Sequence, residues 1–145
     1  MSSVLSRFRK ISEWEFYRTA SELRVKLARA LMNEKIVPKH WRMVISIPAI
    51  ERANLLIDHI RAAFNIYPYS EELLTEKKLL QQYAINDLDG IDDKLQFLLD
   101  IQYYGQIDAD HLLPPALEEC GELIDRETEL LIAWKKGTKL LGGKS

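Results

Sequence analysis

The sequence predicts an all-α fold, an antiparallel up-down-up-down four-helix bundle in which residues 1–145 form a single domain. Three observations predict it. Four long stretches repeat apolar residues every three or four positions, proline or glycine punctuates the joints between them, and the short Pro68-Tyr69 connection implies an antiparallel neighbour. A composition of 47% hydrophobic and 29% charged residues is enough for one buried core without metal or disulfide. Order is expected from about residue 12 to about residue 137, with flexible ends.

Ser12-Glu13-Trp14-Glu15 matches a capping box, so the first helix is expected to start near Glu13. Phe16, Ala20, Leu23, Leu27, Ala30 and Leu31 fall on one face, with Arg18, Glu22, Lys26 and Arg29 opposite. The helix should end by Lys35, because Pro38 forces the residue before it out of helical geometry.

The stretch from Val37 to Pro68 organises the rest. Pro38 can open a short helical turn carrying Lys39, His40, Trp41 and Arg42, and Ser46 followed by Pro48 marks a fresh N-terminus. A second helix from Ile47 to Ile66 buries Ile50, Ala53, Leu56, Ile57, Ile60 and Phe64, and Pro68 closes it.

Ser70 caps the third helix, with Glu71 and Glu72 where negative charge suits the helix N-terminus. Leu73, Leu74, Leu80, Tyr83, Ala84, Leu88, Ile91, Leu95, Leu98 and Leu99 hold one period across Gly90, which predicts a single long helix. Gly105 is its expected left-handed stop. After a turn in which Asp108 could cap, Pro115 opens a last helix along Leu117, Cys120, Leu123, Ile124, Glu127, Leu130, Leu131 and Trp134. Lys135, Lys136 and Lys139 suit its negative end, and Gly142 to Ser145 should be disordered.

Several function classes lose support. The single cysteine, Cys120, makes no internal disulfide, and a reducing, cytoplasmic setting is expected. Charges interrupt every apolar run, so no membrane span is expected, and the first ten residues lack the apolar core of a secretory signal. Asn86 to Asp93 imitates a calcium loop, but its first and twelfth positions would be Ile85 and Gln96, so a solvated acidic helix face is expected instead. His40, His59 and His111 share no metal-ligand spacing, and His59 is expected at a helix surface or interface, unaided by the adjacent Asp58. Gly143-Lys144-Ser145 ends where a phosphate-binding helix would have to begin. No enzyme activity, metal or cofactor is expected.

Charge is lopsided. Residues 1–42 hold ten Lys/Arg against four Asp/Glu, a balance of +6, whereas residues 70–129 hold four against sixteen, a balance of -12. Either the helices complement one another, or the basic segment is a binding surface. Lys39-His40-Trp41-Arg42 is the most suggestive cluster, since cations beside an exposed aromatic can contact phosphates and stack on a base; Arg7, Arg9 and Lys10 could extend it. Its structural alternative is Trp41 as a plug between helices and Arg42 paired with a carboxylate. Trp14 and Trp134 suit core or inter-subunit packing, and aromatics clustered at helix ends favour an assembly.

Pro38-Lys39 and Arg42 in the first connection, Asn65 near the end of the second helix, Leu95, Leu98 and Leu99 in the third, and Gly121 followed by Trp134-Lys135 in the last carry a resemblance. Across Glu15 to Lys136 the chain resembles the four-helix bundle family that includes the accessory variability determinant (Avd) of diversity-generating retroelements and the proteins encoded in 23S rRNA intervening sequences. The resemblance implies a non-enzymatic homo-pentamer that binds nucleic acid and, in a retroelement, a reverse transcriptase and its template RNA. By position the family's basic surface falls on Arg18, Lys26, Arg29, Lys39 and Arg42. Well-known members are strongly basic, whereas this chain has a pI of about 5.9. The lower cation density weakens the expectation for RNA, and the acidic third and fourth helices could instead dock a basic partner such as a polymerase. The alternative reading is a structural or regulatory protein-interaction bundle without nucleic acid.

Overall fold

The computed structural model describes residues 10–105 and 114–142. The described residues hold four long helices, α1 (Glu15–Leu31), α2 (Ser46–Phe64), α3 (Glu71–Tyr103) and α4 (Pro115–Gly137), with a short 3-10 turn at Lys39–Trp41 and no strand among them. Each helix packs on its neighbours in the chain, and α4 closes the ring against α1. Cross-helix contacts run in opposite order along two of the pairs: Ala63 meets Lys77 while Arg52 meets Asp87, and Arg24 meets Asn54 while Leu31 meets Ser46; Lys135 meets Gln82 between α4 and α3. That is the predicted four-helix bundle.

The α1 start differs from the expected capping box. Trp14, extended at φ -89° and ψ 133°, precedes the first residue of α1, and its own side chain makes no capping hydrogen bond. Residues 10–12 form a preceding turn, and the Trp14 amide closes it onto the Ile11 carbonyl, so Ser12 sits inside that turn instead of at the helix entrance. Arg18 reaches back to donate to the Ser12 carbonyl at 3.2 Å. At the other end α1 stops at Leu31, short of the expected Lys35. The Asn33 side chain accepts from the Lys35 amide at 2.9 Å, a local turn that competes with helix.

Ser46 does not cap α2. Its buried hydroxyl donates to the Leu31 carbonyl at 2.6 Å, so it satisfies an orphan acceptor at the end of α1 and ties the two helices together. Ser70 caps α3 as expected, accepting from the Leu73 amide at 3.2 Å. The third helix passes Gly90 unbroken for 33 residues. Its buried stripe differs at one end from the predicted one: Lys77 and Gln81 are buried, while Tyr83 is exposed and Leu73, Leu74 and Leu80 are half-buried. Gly105 is left-handed at φ 79°. Asp108, His111 and the basic residues Arg7 and Arg9 lie outside the described residues, as do positions 143–145 of the predicted tail. Beyond α4 the chain folds back, with Thr138 buried and the Leu141 amide bonded to the Pro68 carbonyl at 2.9 Å.

One continuous core runs through the bundle, and the six apolar positions predicted for the first helix all belong to it. Burying such Leu and Ile side chains is worth about 1.5–3 kcal/mol each. No helix among the described residues is long and apolar enough to cross a membrane.

Candidate nucleic-acid and partner interface

Arg18, Lys26 and Arg29 share the outer face of α1, as their spacing of eight and three requires. Two of them are already engaged. Arg18 holds the turn before α1, and Lys26 forms close ion pairs with Glu119 of α4 and, at 3.6 Å, with Glu22. The Glu119 contact, strengthened by Glu22, holds the Lys26 ammonium above its usual range. Arg126 of α4 pairs back to Glu15 of α1. The flank between α1 and α4 is therefore a ladder of complementary charges, as the structural reading of the uneven charge anticipated.

The connection from α1 to α2 separates the remaining candidates. Lys39 and His40 are exposed, with the His40 ring centred 5.6 Å from that of Trp41. Trp41 corrects the expectation of an exposed stacking platform: it is only partly exposed, packs on the core, and keeps its indole N–H buried with no hydrogen-bond partner among the described residues. Arg42 is likewise held by the fold, donating to the Met32 carbonyl at 3.1 Å and lying 3.7 Å from Glu34. Arg29 and Lys39, at the same end of the bundle, form no ion pair among the described residues. Around them Met32, Met43, Val44 and Ile47 are exposed, Met43 by 76%.

A second constellation was not visible in the pattern of the sequence. Asp87, expected on a solvated acidic face, is buried on α3. It accepts from His59 Nδ1 at 2.6 Å and from Arg52 at 3.3 Å, both on α2. The Tyr83 ring lies 5.5 Å from that of His59. Arg52 and His59 are seven apart and Asp87 and Gly90 three apart, so each pair shares a helix face; that spacing, together with a glycine inside a long helix, was the available signal. Asp89, Asp92 and Asp93 do lie exposed as expected. The arrangement locks α2 to α3, and no group of three or more metal-ligating side chains is present among the described residues.

Glu127, the acidic interruption in the α4 stripe, is fully buried at 0% exposure, and neither carboxyl oxygen has a hydrogen-bond partner among the described residues. Burial, reinforced by the nearby charge of Glu15, pushes its pKa up to about 9, so it is uncharged at neutral pH. Comparison of the chain with protein-family models, curated proteins and solved structures finds no match.

Proposed function

We propose that this chain is a non-enzymatic, oligomeric accessory protein that binds a reverse transcriptase and its template RNA in the cytoplasm, as the resemblance to the retroelement accessory family implies. The observation that supports this reading is the end of the bundle where α1 passes to α2. There Met32, Met43, Val44 and Ile47 lie exposed, and Arg29 and Lys39 form no ion pair among the described residues. Apolar side chains ringed by cations suit both a subunit or polymerase contact and the phosphates of a bound strand. Trp41 and Arg42 then act mainly by holding that end in shape, Lys26 braces α1 against α4, and Arg18 serves the turn at the other end, leaving Arg29, Lys39 and His40 to make contact.

A second reading, a protein-interaction bundle without nucleic acid, is favoured by the ion pairs that neutralise Lys26 on the basic face of α1. Light scattering before and after nuclease treatment, with the ultraviolet absorbance ratio recorded, separates the two. A homo-pentamer that loses bound nucleic acid to nuclease supports the accessory reading. A clean monomer or dimer overturns it. Replacing Arg29 and Lys39 with alanine should weaken RNA or polymerase association while leaving helicity unchanged, and should lower the salt sensitivity of binding.

A further inference from the structure

At the opposite end of the bundle, four aromatic side chains from three helices and the turn before α1 meet. The Phe16 and Trp134 rings stack with centroids 4.0 Å apart, Trp14 stacks on Phe16 at 5.5 Å, and Phe64 sits 6.4 Å from Trp14. They wall a cavity of about 460 Å³ that Leu141 and Tyr67 also line. That volume falls within the roughly 300–1,000 Å³ of sites that hold small molecules.

Every charged residue lining the cavity among the described residues is cationic. Lys77, Lys10 and Lys139 line it, and no carboxylate does. Lys77 is 9% exposed, and its ammonium donates to the carbonyls of Ala63 at 2.8 Å and Ile66 at 2.9 Å, leaving a third proton. It lies 5.4 Å over the Trp134 ring and has no acidic partner among the described residues. The helix end explains two of its bonds, because terminal carbonyls and the helix dipole attract a cation. It does not explain a buried positive charge left without a counter-ion, which is costly at low dielectric.

We propose that this cavity binds a planar aromatic molecule carrying one anionic group, its ring among Trp14, Phe16 and Trp134 and its anion on the Lys77 ammonium. Lys10 and Lys139 at the rim add attraction for the same charge. The site lies at the other end of the bundle from the surface invoked for partner binding, so either can fail without the other.

Anilinonaphthalenesulfonate is the probe, titrated into the full chain by fluorescence, with uncharged N-phenylnaphthylamine as its ring-only counterpart. One sulfonate should bind per chain and more tightly than the uncharged compound. Lys77→Met should weaken it about tenfold, the scale of one lost charge-assisted bond, without weakening the uncharged compound. Should Lys77→Met fail to fold by circular dichroism, the rim variant Lys10→Gln/Lys139→Gln decides, with an expected loss of about threefold. Equal sulfonate affinity in wild type and whichever variant folds, several sulfonates per chain, or equal affinity for the two compounds would each overturn the proposal.

Discussion

Arg52 lies directly across Gly90: a methyl group built on that glycine would stand 2.7 Å from Arg52 Nε. The glycine in the middle of α3 is therefore the space through which the Arg52 side chain reaches Asp87. Glycine costs roughly 1 kcal/mol relative to alanine in a helix interior, so the site trades helix propensity for an interhelical contact. Gly90→Ala should destabilise the wild type slightly, because Arg52 must swing away from Asp87. In an Arg52→Ala background the same change should stabilise by about 1 kcal/mol. Urea unfolding of the four proteins in the cycle measures the coupling, and additivity within error would refute it.

Asp87 is the buried partner of a pair of half-exposed ones, and that asymmetry orders the expected losses. His59→Ala leaves a buried carboxylate with Arg52 alone and should cost about 2 kcal/mol. Asp87→Asn keeps an acceptor for His59 and lets Arg52 turn to water, so it should cost less, about 1 kcal/mol. Chemical denaturation at neutral pH checks the order, and a larger loss for Asp87→Asn would show that the charge itself holds α2 to α3.

Glu127 makes the bundle less stable as pH rises. Its carboxyl is raised from 4.5 to about 9 in the fold, so below the lower value both folded and unfolded chains hold the proton and there is no penalty. Between the two values only the unfolded chain releases it, and stability falls with increasing pH by up to about 1.4 kcal/mol per unit. Glu127→Leu should therefore stabilise the protein by about 2–3 kcal/mol at pH 7, flatten the pH dependence, and gain more at pH 8 than at pH 5. Urea midpoints at the two pH values test the sign.

Cys120 is buried on α4, and burial, with Glu119 nearby, pushes its thiol up to about 11. Both exclusion from solvent and the scarcity of thiolate make it inert in the folded chain. A disulfide reagent at pH 8 should label it only as fast as the bundle opens, with the rate rising in step with urea. Immediate labelling of native protein would contradict its place in the core.

The predicted stripe of the first helix, the Ser70 cap, the unbroken passage through Gly90 and the left-handed Gly105 all follow from interactions between residues one to four apart. Hydrophobic period, capping and φ preference act over that range, so the linear sequence contains them. Helix ends were less legible where local turns intervened: Asn33 stopped α1 early, and the turn at residues 10–12 moved the cap position of α1 on to Trp14. The candidate interface was legible only in part. Lys39, His40 and Arg29 lie open as their sequence neighbourhood suggests, but Trp41 and Arg42 were drawn into the fold by groups elsewhere.

By itself the sequence determined four helices and most of the face that the first of them buries, because those properties are set locally by the period of apolar side chains and by the residues that stop them. The tertiary structure alone decided the fate of individual charges. Lys26 pairs with Glu119 across 93 positions, Asp87 bonds His59 across 28, and Lys77 enters an aromatic cavity that the ends of separate helices build. A charge on a polar face has the same local pattern whether it meets water or an opposite charge. Which of these it meets depends on the neighbouring helix and its register, and only packing fixes those.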